Sequence, residues 1–151
     1  MQDPVDIGFG DTVTPGPVES VYPVLLDDLP APRLLAYPTY TVVAEKLHAI
    51  ALLGMTNSRL EDYFDLAMLL GRETLAPDLL VRAIKATFER RDTIVPEPLP
   101  IGLSEEFAND ASRQAQWQAF LAKTEFSLEP LPAILERLRA ELVPVLNRAV
   151  D

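Results

Sequence analysis

Two helical patterns joined by a short polar turn constrain this chain more than any other feature. In the stretch Tyr37 to Leu70, the residues Val42, Val43, Leu47, Ile50 and Ala51 recur at helical spacing, with Lys46 and Ala49 alongside them. Gly54 is a natural helix stop, and Asn57 or Ser58 a natural cap for the next start. The second helix carries Leu60, Phe64, Ala67, Met68 and Leu69 as its apolar stripe and ends at Gly71. Its charges are ordered: Arg59, Asp62 and Asp65 follow one another at steps of three, so they share a face. A lysine on one helix and an Arg/Asp/Asp ridge on its neighbour is an unusual thing to hold beside a core.

On pattern alone, each of these charges has an ordinary explanation. A lysine at the edge of an apolar helix lays its stem on the core and keeps its ammonium in water. An i,i+3 aspartate pair with an arginine nearby is a common surface ridge of little net worth. His48, one position past an inward-facing leucine, reads as a surface or half-buried residue without a role. Glu45 reads as the partner of a nearby Arg or Lys. Arg82, Lys85, Arg90 and Arg91 form the one basic cluster, read as a solvated helix face. Phe88, Trp117, Phe120 and Phe126 read as core.

Upstream, residues 4–10 alternate, with Val5, Ile7 and Phe9 on one side and Asp6 and the glycines on the other, which predicts a strand. Its candidate partners are residues 21–26 and 33–36, set off by the turn-rich TVTPGP and DDLPAP segments. Three short strands make a thin sheet with an exposed edge, a place where a second copy would pair to form a dimer. Downstream, Pro77 suits a first helical turn, followed by Leu80, Ile84 and Phe88 as a stripe. Residues 92–103 hold three prolines and read as a loop with at most a turn of extended chain. Ser104, Glu105 and Glu106 open a short helix, and a further helix spans 110–123. Ser127 opens the last, whose seam is Leu131, Leu135, Leu138, Leu142, Val145 and Leu146, with Pro144 expected to kink it or end its regular part. The expected fold is α+β and mainly α: a short N-terminal strand or small sheet packed on a bundle of about five to six helices. It forms one domain over 1–151, with the sheet and loops in 1–36 and the helices in 37–151.

Composition removes several chemistries. With no cysteine there is no disulfide, thiolate metal site or cysteine nucleophile, and one histidine excludes a His-rich metal centre. A net charge of −10 opposes bulk electrostatic attraction to a polyanion. No apolar run approaches the roughly 18 residues that would span a bilayer, and no signal peptide opens the sequence, so a cytoplasmic protein without membrane contact is expected.

AEKL at 44–47, a polar turn, and then SR-x-x-D-x-x-DL at 58–66 together resemble the C-terminal signature of the AbiEii/AbiGii-type nucleotidyltransferase toxins. VDIGFGDTVTPGP and YPVLLDDLPAPRLLAYP resemble the segment that precedes it, so the likeness runs over roughly residues 3 to 72. The resemblance implies a partial nucleotidyltransferase fold. It also implies Mg2+-dependent transfer of a nucleotide from a nucleoside triphosphate to an acceptor that in some relatives is tRNA, and a toxin–antitoxin or phage-defence role with a cognate antitoxin. For the site, it implies that Lys46 clamps the triphosphate, with Arg59 as a second nucleotide-binding residue. One of Asp62 and Asp65 works beside the lysine and the other fixes the helix, and Asp6 stands where a third metal-binding carboxylate does. Glu61 departs from the lysine usual in the family.

A larger departure is the lack of any Gly-Ser followed by Asp-x-Asp in the sequence. Two-metal nucleotidyl transfer needs carboxylates that bridge both ions, which Asp6 alone does not supply. The chain is therefore expected not to catalyse transfer alone, and Met1 directly before the first strand points to a truncated or split form. Two alternatives remain beside it: a non-catalytic helical interaction module, and one half of a split transferase.

Overall fold

Helix α1 (Thr39–Leu53) buries Val43, Ala44, Leu47, His48 and Ile50, a face broad enough to pack on two neighbours at once. The computed structural model describes residues 16, 18–21, 33–36, 38–97, 99–124, 127 and 129–150. Gly54 stops α1 with φ of 50°, a left-handed conformation that a side chain disfavours. A 3-10 turn, Gly54–Thr56, follows. The buried Asn57 then accepts the backbone N–H of Arg59 on its Oδ1 at 2.8 Å, and α2 (Leu60–Arg72) begins.

Helix α2 buries Leu60, Asp62, Tyr63, Leu66 and Ala67. The expected stripe is thus turned about its axis: Phe64, Met68 and Leu69 are half-buried, and Tyr63 is the aromatic inside.

Pro77 starts α3 (Pro77–Arg90), where its missing N–H has no helical partner to lose. Leu80, Ala83, Ile84, Thr87 and Phe88 face α1 and α6. The proline-rich segment after it runs as a loop and closes with a 3-10 turn, Ile101–Leu103. That turn presses on α1: a Cβ on Gly102 would stand 2.8 Å from the Ile50 carbonyl oxygen. Ser104 Oγ then accepts Phe107 N–H and caps α4 (Glu105–Asn109). Asp110 does the same for Arg113 N–H at the start of α5 (Ala111–Leu121), whose buried Trp117 donates its indole N–H to the Glu129 carbonyl at 3.0 Å.

Helix α6 (Leu131–Val150) buries the seam predicted for it. It starts four residues later than Ser127, with Pro130 offering its carbonyl to the amides of Ala133 and Ile134. Pro144 lies inside the helix and does not end it.

The α+β expectation is corrected: the fold is helical. The buried hydrophobic cluster of the described residues runs from Val43 to Ala149, on the helices and on the turn at Ile101–Leu103. The expected sheet layer on the bundle is absent from that core. Its place is taken by helix-on-helix packing of α1 with α2 and α3, and of α6 with α2, α3 and α4. Of the three expected strands, the run 33–36 is found as β2 (Arg33–Ala36); it pairs antiparallel with β1 (Val18–Val21), which overlaps the expected 21–26 only at Val21, with Val18 opposite Ala36 and residues 22–26 outside those described. Four residues a strand is too short to build a layer on its own. The strand predicted at 4–10, with Asp6 and its dimer edge, lies outside the described residues. Among them, no helix is long and apolar enough to cross a membrane.

Candidate functional site

Residues on α1 and α2 that the sequence brought into question meet at one point. Lys46 Nζ lies 3.0 Å from Asp62 Oδ1 and 2.7 Å from Asp65 Oδ2. The i,i+3 spacing on α2 sets both carboxylates on the side that faces α1. Their depths differ sharply, however. The Asp62 side chain is 1% exposed and that of Asp65 44%, with the Lys46 side chain between them at 20%.

A carboxylate as deep as Asp62 is costly unless it is paired. Two cations address it. Lys46 donates a hydrogen bond to Oδ1, and Arg59 brings Nε to 3.1 Å from Oδ2. The Arg59 contact is ionic without the geometry of a hydrogen bond, so Oδ2 is a buried acceptor left unsatisfied. Arg59 is itself more than half exposed and also stands 3.9 Å from Glu61. Burial works against the Lys46 ammonium, but hydrogen bonds to Asp65 and Asp62 outweigh it and hold its pKa above the ordinary lysine value. Lys46 is therefore a fixed positive charge at neutral pH, suited to holding an anion and unsuited to acting as a base.

Beneath the cluster lies a support that the sequence pattern did not reveal. Tyr63 donates its hydroxyl to the Gly102 carbonyl at 2.8 Å and accepts a long bond, 3.4 Å, from Asn57 Nδ2. Burial pushes the Tyr63 hydroxyl far above the usual tyrosine range, which keeps it a donor. Through Asn57 this support also holds the backbone of Arg59. The spacing of Leu60, Tyr63, Leu66 and Ala67 carried the signal for Tyr63, and Asn57 was visible only as a cap.

On the other side of α1, Glu45 binds Arg90 and Arg91, the latter at 2.8 Å, as expected for it, so half of the basic cluster is spent inside the fold. His48 corrects its expectation. It is buried, with Nε2 2.9 Å from Thr93 Oγ1 and its ring edge-on to Phe88. The Thr93 hydroxyl also donates to the Phe88 carbonyl at 3.2 Å, which makes His48 Nε2 the donor to Thr93. Phe88 and Trp117 are core, Phe120 is half-buried against Trp117, and Phe126 lies outside the described residues.

The described residues do not by themselves fit the magnesium ion that the resemblance implies. Among them, no three Asp, Glu or His side chains gather around a point. Asp62 and Asp65, the nearest candidates, both stand within 3.0 Å of an ammonium that would repel a divalent cation. Asp6, the residue singled out for metal, is not among those described.

Comparison with known proteins agrees with the motifs and extends beyond them. The family model described as "Nucleotidyl transferase AbiEii toxin, Type IV TA system" matches residues 4–140. No curated protein and no solved structure matches the chain. Residues 4–140 take in the whole of α1 to α5 and half of α6, and with them Lys46, Arg59, Asp62 and Asp65. This chain belongs to the AbiEii family of nucleotidyl transferase toxins of type IV toxin–antitoxin systems.

Proposed function

We propose that this chain supplies the nucleotide-gripping side of a nucleotidyl transfer, with Lys46 holding the triphosphate of an NTP. The supporting observation is the ammonium itself, one-fifth exposed and tied at 3.0 Å to a carboxylate that is almost wholly buried. A lysine in water needs no such anchor, whereas a fixed point charge for phosphate does. Arg59, at the lip of the same cluster, adds fork-shaped donors for the phosphate oxygens. In the transfer, an acceptor hydroxyl such as one on tRNA attacks the α-phosphorus. The bond to the leaving pyrophosphate breaks, and the hydroxyl proton passes to solvent or a base. Lys46 and Arg59 neutralise charge on the phosphates during that step.

Neither the sequence nor the described residues provide the paired aspartates that carry metal ions in such chemistry. This chain alone is therefore inactive, and a segment bearing Gly-Ser and Asp-x-Asp completes it, on the same polypeptide or a separate one. An antitoxin is its genetic partner by family, and an acidic surface leaves RNA docking to local cations.

Incubation with Mg2+, tRNA and each labelled triphosphate should give no transfer; robust labelling of the RNA overturns the claim of inactivity. Triphosphates should still shift the NMR spectrum of the chain, and Lys46→Met combined with Asp62→Asn should abolish the shift. If nucleotides leave the spectrum untouched, the protein is a docking module instead. The exposed Leu52 and Ile94 favour that second reading.

A further inference from the structure

The two aspartates on Lys46 are not equivalent, and the difference assigns them separate tasks. We infer that Asp65 occupies the phosphate position on Lys46 and is displaced when nucleotide binds, while Asp62 is the permanent half of the ion pair. This rests on the reading of Lys46 as a triphosphate clamp.

Three observations carry it. First, both carboxylates reach the same nitrogen, Asp62 at 3.0 Å and Asp65 at 2.7 Å, so an incoming phosphate oxygen must compete for a donor that is already in use. Second, only one of the two can yield. Asp62 is buried and also faced by Arg59, so moving it would strand a charge in the core. Asp65 is nearly half exposed, and an exposed ion pair is held so weakly that its carboxylate exchanges readily with water. Third, the cluster as it stands repels its own ligand. Lys46 and Arg59 supply two positive charges against three negative ones from Glu61, Asp62 and Asp65. A triphosphate that takes the place of Asp65 meets a lysine anchored from below, and its cost of binding is set by the carboxylate it ejects. Asp65 thus sets affinity, whereas Asp62 is a positioning residue that acts through Lys46.

The two assignments predict opposite signs. Isothermal titration of the full chain with inorganic tripolyphosphate at low ionic strength reads them without dependence on a base or an acceptor. Asp65→Asn should bind roughly three- to tenfold tighter than the unaltered chain, because a competitor and a repelling charge are removed. Asp65→Glu should restore the weak binding. Asp62→Asn should bind more weakly, and Lys46→Met with Asp62→Asn should not bind. Thermal unfolding of each variant separates loss of fold from loss of affinity, and Asp65→Asn, altered on the exposed side, decides the question if Asp62→Asn does not fold. Lys46-dependent binding that Asp65→Asn leaves unchanged or weakens overturns the displacement and leaves the clamp standing. Absence of Lys46-dependent binding in every variant overturns the clamp itself.

Discussion

At the scale of single residues, the Lys46–Asp62 pair sets stability as much as chemistry. Lys46→Met leaves a nearly inaccessible carboxylate facing only the exposed Arg59, and should cost about 3 kcal/mol in urea denaturation. Adding Asp62→Asn removes the stranded charge and should recover most of that loss. His48 gives a second prediction through pH. Burial, reinforced by the charge of Arg91, lowers its pKa below the ordinary histidine value of 6.5, so the folded chain resists a proton that the unfolded chain accepts. The unfolded state then binds more protons, and stability should fall as pH drops through about 6.5 towards the lower folded value. His48→Gln should flatten that part of the pH–stability curve; an unchanged slope would mean that His48 contributes nothing to it. The sequence showed that Asp62 and Asp65 share one face of their helix, since spacing fixes angular position, and only the family resemblance implied that one of them meets Lys46. Depth was hidden, because one turn of helix looks the same at the bottom of a cleft and at its lip. His48 was misread for the same reason: its partner Thr93 is 45 residues away.

At the scale of elements, the joint between α1, α2 and the turn at Ile101–Leu103 holds the site in place. Gly102→Ala drives a Cβ to 2.8 Å from the backbone oxygen of Ile50, which cannot rotate aside, and to 3.0 Å from the Tyr63 hydroxyl. A loss of roughly 1–3 kcal/mol is expected by chemical denaturation, with weaker triphosphate binding as Tyr63 shifts beneath Asp62. Ser104→Ala, which only removes the cap of α4, should cost about 1 kcal/mol and leave binding unchanged. Helices and their stops were legible locally: Gly54, Pro77, Ser104 and the α6 seam all sit where their residue types place them. The inward face of α2 was present in the spacing of Leu60, Tyr63, Leu66 and Ala67, but the Gly102 carbonyl that holds Tyr63 lies 39 residues away, and periodicity within one helix carries no record of such a partner.

At the scale of the molecule, the buried hydrophobic cluster of the described residues lies on the helices and on the turn at Ile101–Leu103. The alternation of residues 4–10, with the short runs at 21–26 and 33–36, reads as strands whatever they pack against, which is why a packed sheet was expected. Pattern states that a segment is extended, and only contacts state what it covers. From Pro38 onward the described elements support one another. The Pro38 carbonyl accepts the first amides of α1, and the Tyr40 hydroxyl accepts the Ala76 N–H at 3.0 Å, which ties the start of α1 to the start of α3. At the far end Arg148 of α6 pairs with Asp78 of α3, an exposed contact of little worth beside the buried seam between those two helices. A chain that begins at Tyr37 should therefore keep its helical circular dichroism and unfold in one cooperative transition, since every described core side chain lies within it. It should also retain whatever tripolyphosphate binding the full chain shows, because Lys46, Arg59, Asp62 and Asp65 are all present with their supports. Retained fold with lost binding would place an essential phosphate contact before Tyr37. Loss of the cooperative transition would show that the N-terminal segment belongs to the core after all, and that the helical body is only part of a folding unit.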